Sequence, residues 1–353
     1  MKSRIYILFA LILLFQVNTA FSQGCEGDDL TASDSTSTQS VKVFGYIQPQ
    51  FDYNLDGEDN VNTFRFKRAR LGVRGTVYED FSYYFMLEAS PFIGGDDQED
   101  AYLMDAFVTY NADNWARISL GTYKQPFSLE VATACHSLTT IERSIVADQL
   151  VSPQRDFGIS VFGGNKYNKL NYALAIMNGR GLKIVDNNTK KDIIGRATYK
   201  VTNFLTVGGS FRYGYPKLNN VEDSRTTYGG EFLVELDKLK VQGEFIHDEG
   251  AYQPGAGGGC GSTPIDLDGL TSEGAYFMAS YNISEKFQPV FKYEYFDPNT
   301  DLKNNIDYQE RMTIGANYFF NDKVRFQLNY LANIENVINV DNDVILAQMQ
   351  IKF

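Results

Sequence analysis

The chain ends with the segment ILAQMQIKF, residues 345–353, and this segment decides the fold. Apolar residues stand at its odd-numbered positions and finish on Phe353, whereas Gln348, Gln350 and Lys352 lie between them. Successive side chains of a β-strand point to opposite faces, so the pattern predicts a strand with one apolar and one polar face. A terminal strand of this kind is typical of antiparallel barrels in the outer membrane of Gram-negative bacteria.

The beginning of the chain has the parts of an export signal. Lys2 and Arg4 precede an apolar run over residues 5–15, and Ala20 and Ser22 are small residues at the spacing that signal peptidase needs. The sequence therefore predicts a cleaved signal peptide and an exported protein.

These features divide the chain into three parts. We expect a signal peptide at residues 1–22, a short polar segment at 23–40 and a transmembrane barrel over 41–353. Anchoring as a lipoprotein through Cys25 is the alternative, but the usual leucine three residues before the cysteine is absent.

Composition separates a barrel from a helical membrane protein. Aromatic residues make up 14% of the chain and charged residues 22%, which suits strands that face lipid on one side and water on the other. After the signal peptide, no apolar run approaches the roughly 18 residues that a membrane-spanning helix needs. A helical membrane protein is therefore excluded.

Alternating segments recur along residues 41–353, joined in turn by short and long connections. Short turns on one rim and long loops on the other are typical of outer-membrane barrels. The predicted fold is all-β, a transmembrane antiparallel β-barrel of about sixteen strands. The predicted strands cover 41–53, 62–78, 81–90, 101–112, 115–123, 156–163, 167–178, 192–201, 204–214, 225–236, 239–249, 270–283, 286–296, 308–320, 323–333 and 342–353.

The third long connection, residues 124–155, is the longest. It carries apolar side chains such as Phe127, Val131 and Leu150, which need burial, and a loop of this length is usually functional. We predict that it folds into the lumen and constricts the pore. A plug or a contact between subunits at the outer rim is the alternative.

Four blocks of the sequence resemble the phosphate-selective porin O and P family. Residues 64–76, FRFKRARLGVRGT, resemble the second strand of that family, and residues 121–130, GTYKQPFSLE, resemble the start of its third loop. Residues 152–158, SPQRDFG, resemble the end of that loop, and residues 178–181, NGRG, the next outer strand end. Together with the strand rhythm, the resemblance covers residues 41–353.

The resemblance implies a trimeric porin with sixteen strands, an infolded third loop and a ladder of arginines along the lumen. Arg68, Arg70 and Arg74 would belong to this ladder, because their even numbers put them on the polar face of the strand. Lys124 and Arg155 would flank the constriction.

Charge gives a separate indication of what such a pore admits. The formal net charge is −12, but acidic residues prevail in the long connections and basic residues in the strands. Because a lipid-facing Arg or Lys at mid-bilayer costs roughly 2–4 kcal/mol, wall cations should face the lumen and favour anions. Beyond the ladder, the polar faces carry Arg117, Arg196, Arg212, Arg311 and Arg325.

Acidic residues on the same faces leave an alternative open, since paired charges would form a general or oligosaccharide-permeable porin without anion selectivity. The third loop has only Lys124, Arg143 and Arg155 as cations, which is fewer than a tight phosphate site requires. We therefore predict a weak anion preference rather than strict phosphate specificity. The acidic residues assigned to polar faces are Asp52, Glu88, Asp105, Glu231, Glu235, Glu244, Glu294 and Glu310.

An outer-membrane barrel enzyme is the competing class. Its chemistry would need a histidine beside a serine or carboxylate, and the candidates are His136, next to Ser137, and His247 on an apolar face. We predict no catalytic site, metal or cofactor, and the expected partners are outer-membrane lipid, lipopolysaccharide and small anionic or hydrophilic solutes, without nucleic acid. A Cys135–Cys260 bridge and two unpaired thiols both remain open.

Overall fold

The computed structural model describes residues 40–55, 62–78, 80–93, 101–165, 167–182, 185–186, 188–217, 223–252, 265–302, 306–334 and 342–353. The predicted signal peptide and nearly all of the polar segment at 23–40 lie outside these residues. Among the described residues, no helix is both long and apolar enough to cross a membrane.

Sixteen antiparallel strands form one closed barrel, in which each strand pairs with its neighbours along the chain and β1 pairs with β16. The predicted barrel is confirmed, and every strand end agrees with its prediction to within three residues. The strands are β1 (Lys42–Asn54), β2 (Asn62–Tyr78), β3 (Phe81–Glu88), β4 (Tyr102–Asp113), β5 (Ala116–Lys124), β6 (Arg155–Gly163), β7 (Leu170–Met177), β8 (Asp192–Lys200), β9 (Leu205–Gly214), β10 (Arg225–Leu236), β11 (Leu239–Gly250), β12 (Thr271–Tyr281), β13 (Phe287–Asp297), β14 (Gln309–Phe319), β15 (Val324–Ile334) and β16 (Val344–Lys352).

The terminal strand closes the barrel as its alternation predicts. Gln50 of β1 lies opposite Gln348 of β16, and the side chains of Gln348 and Gln350 are buried on the lumen side. Ile351 and Phe353 are 40% and 57% exposed on the outside. The two faces of this strand are therefore separated by the barrel wall.

Short turns join the strands at one rim. Leu236 of β10 pairs with Leu239 of β11 across a two-residue turn, in which Asp237 has φ 43°. Asp tolerates this left-handed conformation better than most residues. The connection after β6 runs from 164 to 169 rather than the predicted 164–166, and Asn165 and Asn168 hydrogen-bond within it.

The third loop contains two short helices, α1 (Leu129–Ala132) and α2 (Ile145–Leu150), and one 3-10 turn (Cys135–Ser137). Its apolar side chains pack with apolar residues of the lumen wall in one buried cluster. From the loop the cluster takes Phe127, Val131, Ile145, Val146, Ala147, Leu150 and Val151, and from the wall it takes, among others, Met86, Met104, Tyr276, Met278 and Phe296.

Two details of the sequence analysis need correction. Cys135 is disulfide-bonded, so the alternative in which its thiol is unpaired is wrong; Cys25 and Cys260 both lie outside the described residues. The predicted polar-face position of Glu310 is also wrong, because Glu310 shares the outward-facing parity of Ile314, which is 51% exposed. Its carboxylate accepts a hydrogen bond from Tyr308.

Candidate functional site: the lumen and its third loop

The third loop hydrogen-bonds to lumen-facing side chains on distant strands. The backbone N–H of Ile141 donates to Asn329 of β15 at 2.8 Å, and that of Leu129 donates to Glu244 of β11 at 3.0 Å. Glu142 forms an ion pair with Lys67 of β2 at 2.7 Å. Because these strands lie far apart around the barrel, the loop crosses its interior.

The three predicted constriction cations lie together but are engaged by the protein. Arg155 binds both carboxylate oxygens of Asp105, at 2.9 and 3.1 Å. Lys124 donates to the carbonyl of Thr133 at 2.9 Å, and Arg143 donates to that carbonyl and to Gln154 at 3.3 Å. These cations stabilise the path of the loop.

Burial and nearby cations change the acidity of two loop carboxyls in opposite directions. Burial alone would raise the pKa of Glu142, but the neighbouring cations Lys67 and Arg68 outweigh it and lower this pKa to about 2. Burial raises the pKa of Asp148 to about 6, and the Arg143 guanidinium offsets only part of the effect. Glu142 is therefore charged at neutral pH, whereas Asp148 takes up a proton when the pH falls to about 6.

The two family-like blocks around the end of the loop meet in space. The carboxylate of Asp156 accepts hydrogen bonds from the backbone N–H groups of Gly179 and Gly181. Both glycines have φ 85°, a conformation that glycine adopts without steric cost. The SPQRDFG and NGRG blocks therefore anchor the end of the loop to the wall.

On one side of the barrel, from β8 to β13, four buried lumen cations each face a carboxylate: Arg196, Arg212, Arg225 and Lys292. We call this side the paired wall. Arg196 contacts Glu231 through two nitrogens, with the shorter contact at 2.5 Å. Neutralised pairs of this kind contribute little net field to the lumen. The other pairs are Arg212–Asp192 at 2.7 Å, Arg225–Asp248 at 2.7 Å and Lys292–Glu294 at 3.2 Å.

On the opposite side, a row of arginines and amides crosses β2, β1, β16 and β15; we call it the amide row. Arg68 donates to the side-chain oxygen of Gln48 at 2.8 Å, and Gln48 donates to Gln350 at 2.7 Å. Arg325 donates to Gln350 at 3.1 Å and to the carbonyl of Leu138 at 2.9 Å. These acceptors are uncharged, and they do not cancel the charge of Arg325; the charge of Arg68 is partly offset by Glu142, with which it interacts.

The remaining ladder arginines differ in their surroundings. Arg70 forms a buried ion pair with Glu88 at 2.7 Å, whereas Arg74 lies 5.4 Å from the centroid of the Phe44 ring. Arg70 therefore resembles the paired wall despite its place next to Arg68.

Two further predicted arginines contact neutral groups. Arg117 lies 4.6 Å from the centroid of the Phe162 ring and donates to the carbonyl of Gly164. Arg311 donates to the side-chain oxygen of Asn333 at 2.7 Å.

A cavity of about 270 Å³ lies beside Arg325 at the rim that carries the short turns. Its lining includes Lys240, Lys323 and Lys352 and one carboxylate, Asp322. The odd or even numbering along each strand predicts that Lys240, Arg325 and Lys352 face the lumen. Only closure of the barrel brings them together around this cavity.

Sequence reasoning passed over Arg225, which is fully buried. It donates to the carbonyls of Leu150 and Ser152, both at 2.7 Å. The odd number of Arg225 on β10 predicts that its side chain faces the lumen. The sequence around it does not indicate that it contacts the third loop. Among the described residues, no group of three or more His, Cys, Asp or Glu is arranged to hold a metal ion.

A closed sixteen-stranded barrel crossed by its third loop defines the class of porin-like outer-membrane barrels. Solved structures share this fold: the anion-selective porin from Comamonas acidovorans has a TM-score of 0.68 at 13% identity, over 89% of this chain and 100% of that one. Salmonella typhi OmpF, in complex with daunomycin, has a TM-score of 0.68 at 10% identity, over 90% and 98%.

The model of the phosphate-selective porin O and P family matches residues 41–216 and 210–353, and the chain belongs to this family. Porin O of Pseudomonas aeruginosa is 28% identical over 130 residues. That match covers 35% of this chain and 29% of Porin O, so the aligned part is less than a third of its length. The family places the protein in the outer membrane of a Gram-negative bacterium.

Proposed function

We propose that the protein is a porin that forms a water-filled channel for passive diffusion of small hydrophilic solutes, with a weak preference for anions. The amide row carries this proposal. Arg325 presents a guanidinium charge whose acceptors are the neutral side chain of Gln350 and the carbonyl of Leu138. Arg68, whose charge is partly offset by Glu142, lies in the same row, and rings of arginine favour anions by their field and their donors.

The weakness of the preference follows from the remaining charges. The loop cations Lys124, Arg143 and Arg155 are bound to the protein's own carbonyls, amide and carboxylate. A tight phosphate site would need such donors to face the solute. We therefore propose anion preference without strict phosphate specificity.

The test is the reversal potential of the purified channel in a planar bilayer under a KCl gradient. We expect chloride to be favoured in the native protein, and Arg68→Gln with Arg325→Gln to lower the anion-to-cation permeability ratio by about fivefold, the equivalent of roughly 1 kcal/mol. Replacing the pair Arg196 and Glu231 by two glutamines is the control, since it leaves the net charge unchanged. An unchanged reversal potential in the amide-row variant would contradict the proposal.

A size-selective porin without ion preference is the second candidate. The paired wall favours it, because Arg196, Arg212 and Arg225 are each neutralised by a carboxylate. A native permeability ratio near one would support this candidate, and the rate of liposome swelling in neutral oligosaccharides would then measure the size limit.

We also propose that the protein is a homotrimer, as one solved form of the structurally similar Vibrio cholerae OmpT is, and that it catalyses no reaction. His136 packs on the ring of Tyr46 with centroids 5.1 Å apart. His247 stacks on Tyr228 and lies 3.6 Å from Glu273 on the outward face. Light scattering in detergent tests the trimer, and lipase and protease assays of the refolded protein test the absence of catalysis.

A further inference from the structure

The wall holds the third loop at the ends of its two short helices. A helix leaves its first N–H groups and its last C=O groups without partners inside the helix. Here Glu244 and Glu294 accept at the starts of α1 and α2, and Arg225 donates at the end of α2. We call these three residues the loop clamp.

The Glu244 contact fixes a strained corner of the loop. Ser128, which is fully buried, has φ 69°, a conformation that costs energy for a residue other than glycine unless its surroundings hold it. Its hydroxyl donates to Glu244 at 2.9 Å, its N–H donates to the hydroxyl of Ser210 at 3.2 Å, and Leu129 N–H donates to the other oxygen of Glu244.

The other two contacts fix α2 from both ends. Glu294 accepts from the N–H of Ile145 at 2.7 Å. Arg225 donates to the carbonyls of Leu150 and Ser152, and Asp248 holds the guanidinium in place at 2.7 Å. Glu294 and Arg225 therefore direct their polar atoms at the loop backbone.

We propose that Glu244, Glu294 and Arg225 are positioning residues of the channel: they set the place and rigidity of the third loop, whereas the amide row acts on the ions. The loop segment between the helices has anchors of its own: Glu142 pairs with Lys67 at 2.7 Å, and Thr139 O and Ile141 N–H contact the side chains of Asn317 and Asn329. At the clamp, Glu244 accepts two hydrogen bonds from the loop, and Arg225 is an ionised donor, whose hydrogen bonds are roughly twice as strong as neutral ones. Loss of the clamp therefore frees the two helices of the loop, while the segment between them keeps its own anchors.

Variants that conserve charge separate an effect on the position of the third loop from an effect on the electric field of the pore. Arg225→Lys keeps the charge but cannot donate to two carbonyls and Asp248 in the same fork geometry, and Glu244→Asp and Glu294→Asp shorten the reach of each carboxylate. Glu235→Asp and Lys200→Arg are matched controls, because these lumen-side residues form no hydrogen bond or ion pair with the loop among the described residues.

Single-channel recording in planar bilayers measures both effects. We expect each clamp variant to raise the rate of spontaneous and voltage-induced closure roughly tenfold, with the reversal potential unchanged and the controls like the native channel. Combining Arg225→Lys with Glu244→Asp should also expose the loop of the folded barrel to proteinase K.

The outcomes are distinct. Unchanged closure rates and unchanged proteolysis in folded clamp variants would overturn the positioning role. A shifted reversal potential with native closure rates would also overturn it, since the clamp would then act on ions. The inference rests on the proposed channel function, and the absence of any current through the native protein would contradict that function, whereas the proteolysis readout would still test the clamp.

Discussion

The paired wall and the amide row contain the same kind of cation in opposite surroundings. In the paired wall, Arg196 faces Glu231 and the two charges cancel within 2.5 Å. In the amide row, Arg68 and Arg325 are joined through Gln48 and Gln350, which orient the guanidinium groups without neutralising them, and Glu142 offsets only part of the Arg68 charge. The field of a pore therefore depends on the acceptor opposite each arginine rather than on the number of arginines.

The paired wall and the amide row also differ in how much they contact the third loop. The paired wall contributes Arg225 and Glu294 to the third loop, so its polar atoms contact protein. The amide row also contacts the loop, through the hydrogen bond from Arg325 to the carbonyl of Leu138 and through the charge of Arg68 near Glu142. We expect changes of charge to affect selectivity most strongly at the amide row.

Converting the amide row into a paired row should have the largest effect. Gln350→Glu places a carboxylate beside Arg325, and Gln48→Glu places one beside Arg68. We expect the double variant to lower the anion-to-cation permeability ratio about tenfold or more, because each nearby charge changes the pore energy by roughly 1 kcal/mol. Gln242→Glu, which adds a carboxylate beside Tyr276 on the paired wall, is the control and should change the permeability ratio less. An equal change would show that the amide row and the paired wall do not differ in their effect on selectivity.

The reverse change, removal of a carboxylate from the paired wall, should leave the charge of its arginine without a counter-charge. Glu231→Gln leaves Arg196 without its carboxylate, and the reversal potential should shift towards anions by about twofold to fivefold in permeability ratio. Breaking a buried pair also destabilises a protein by roughly 3–5 kcal/mol, so the urea midpoint should fall. Replacing both partners by glutamine should restore the native ratio, and failure to do so would show that the pair is not neutral.

We expect Asp148 to make the ion selectivity of the lumen sensitive to pH. Burial raises its pKa from the ordinary 3.8 to about 6, so its proton is favoured in the folded loop: the stabilisation is present below about pH 4 and is lost as the pH rises through 6. Between pH 7 and pH 5 the carboxyl loses its charge beside Arg143, and anion preference should rise. Asp148→Asn should remove this step from reversal potentials measured across that range, and a step that persists in the variant would assign it elsewhere.

The smallest effect should come from the space that Gly208 leaves for the Arg196–Glu231 pair. A Cβ at Gly208 would lie 2.8 Å from Oε1 of Glu231 and 2.9 Å from Cγ2 of Thr198. Because the end of Glu231 can move, Gly208→Ala should loosen the pair and shift the reversal potential in the direction of Glu231→Gln by a fraction of its size. A shift in the opposite direction would mean that the methyl group tightens the contact.

Sequence reasoning predicted the strands well because their signal is local. The alternation in residues 345–353 assigned Gln348 and Gln350 to the lumen, and both are buried there. The error at Glu310 came from one residue of parity, which moves a side chain to the opposite face of a strand. Beyond such slips, the period of two gives the face of each strand without knowledge of its neighbours.

The sequence by itself predicted export, and it determined the barrel and the side of each strand that faces water, because these follow from patterns within about ten residues. Only the tertiary structure decided which arginines face carboxylates and which face neutral acceptors. Gln48 and Gln350 bond across 302 positions, and Ser128 meets Glu244 across 116. Such contacts depend on barrel closure, strand register and the path of the third loop, and charge cancellation falls off over a few ångströms, so composition alone cannot predict it.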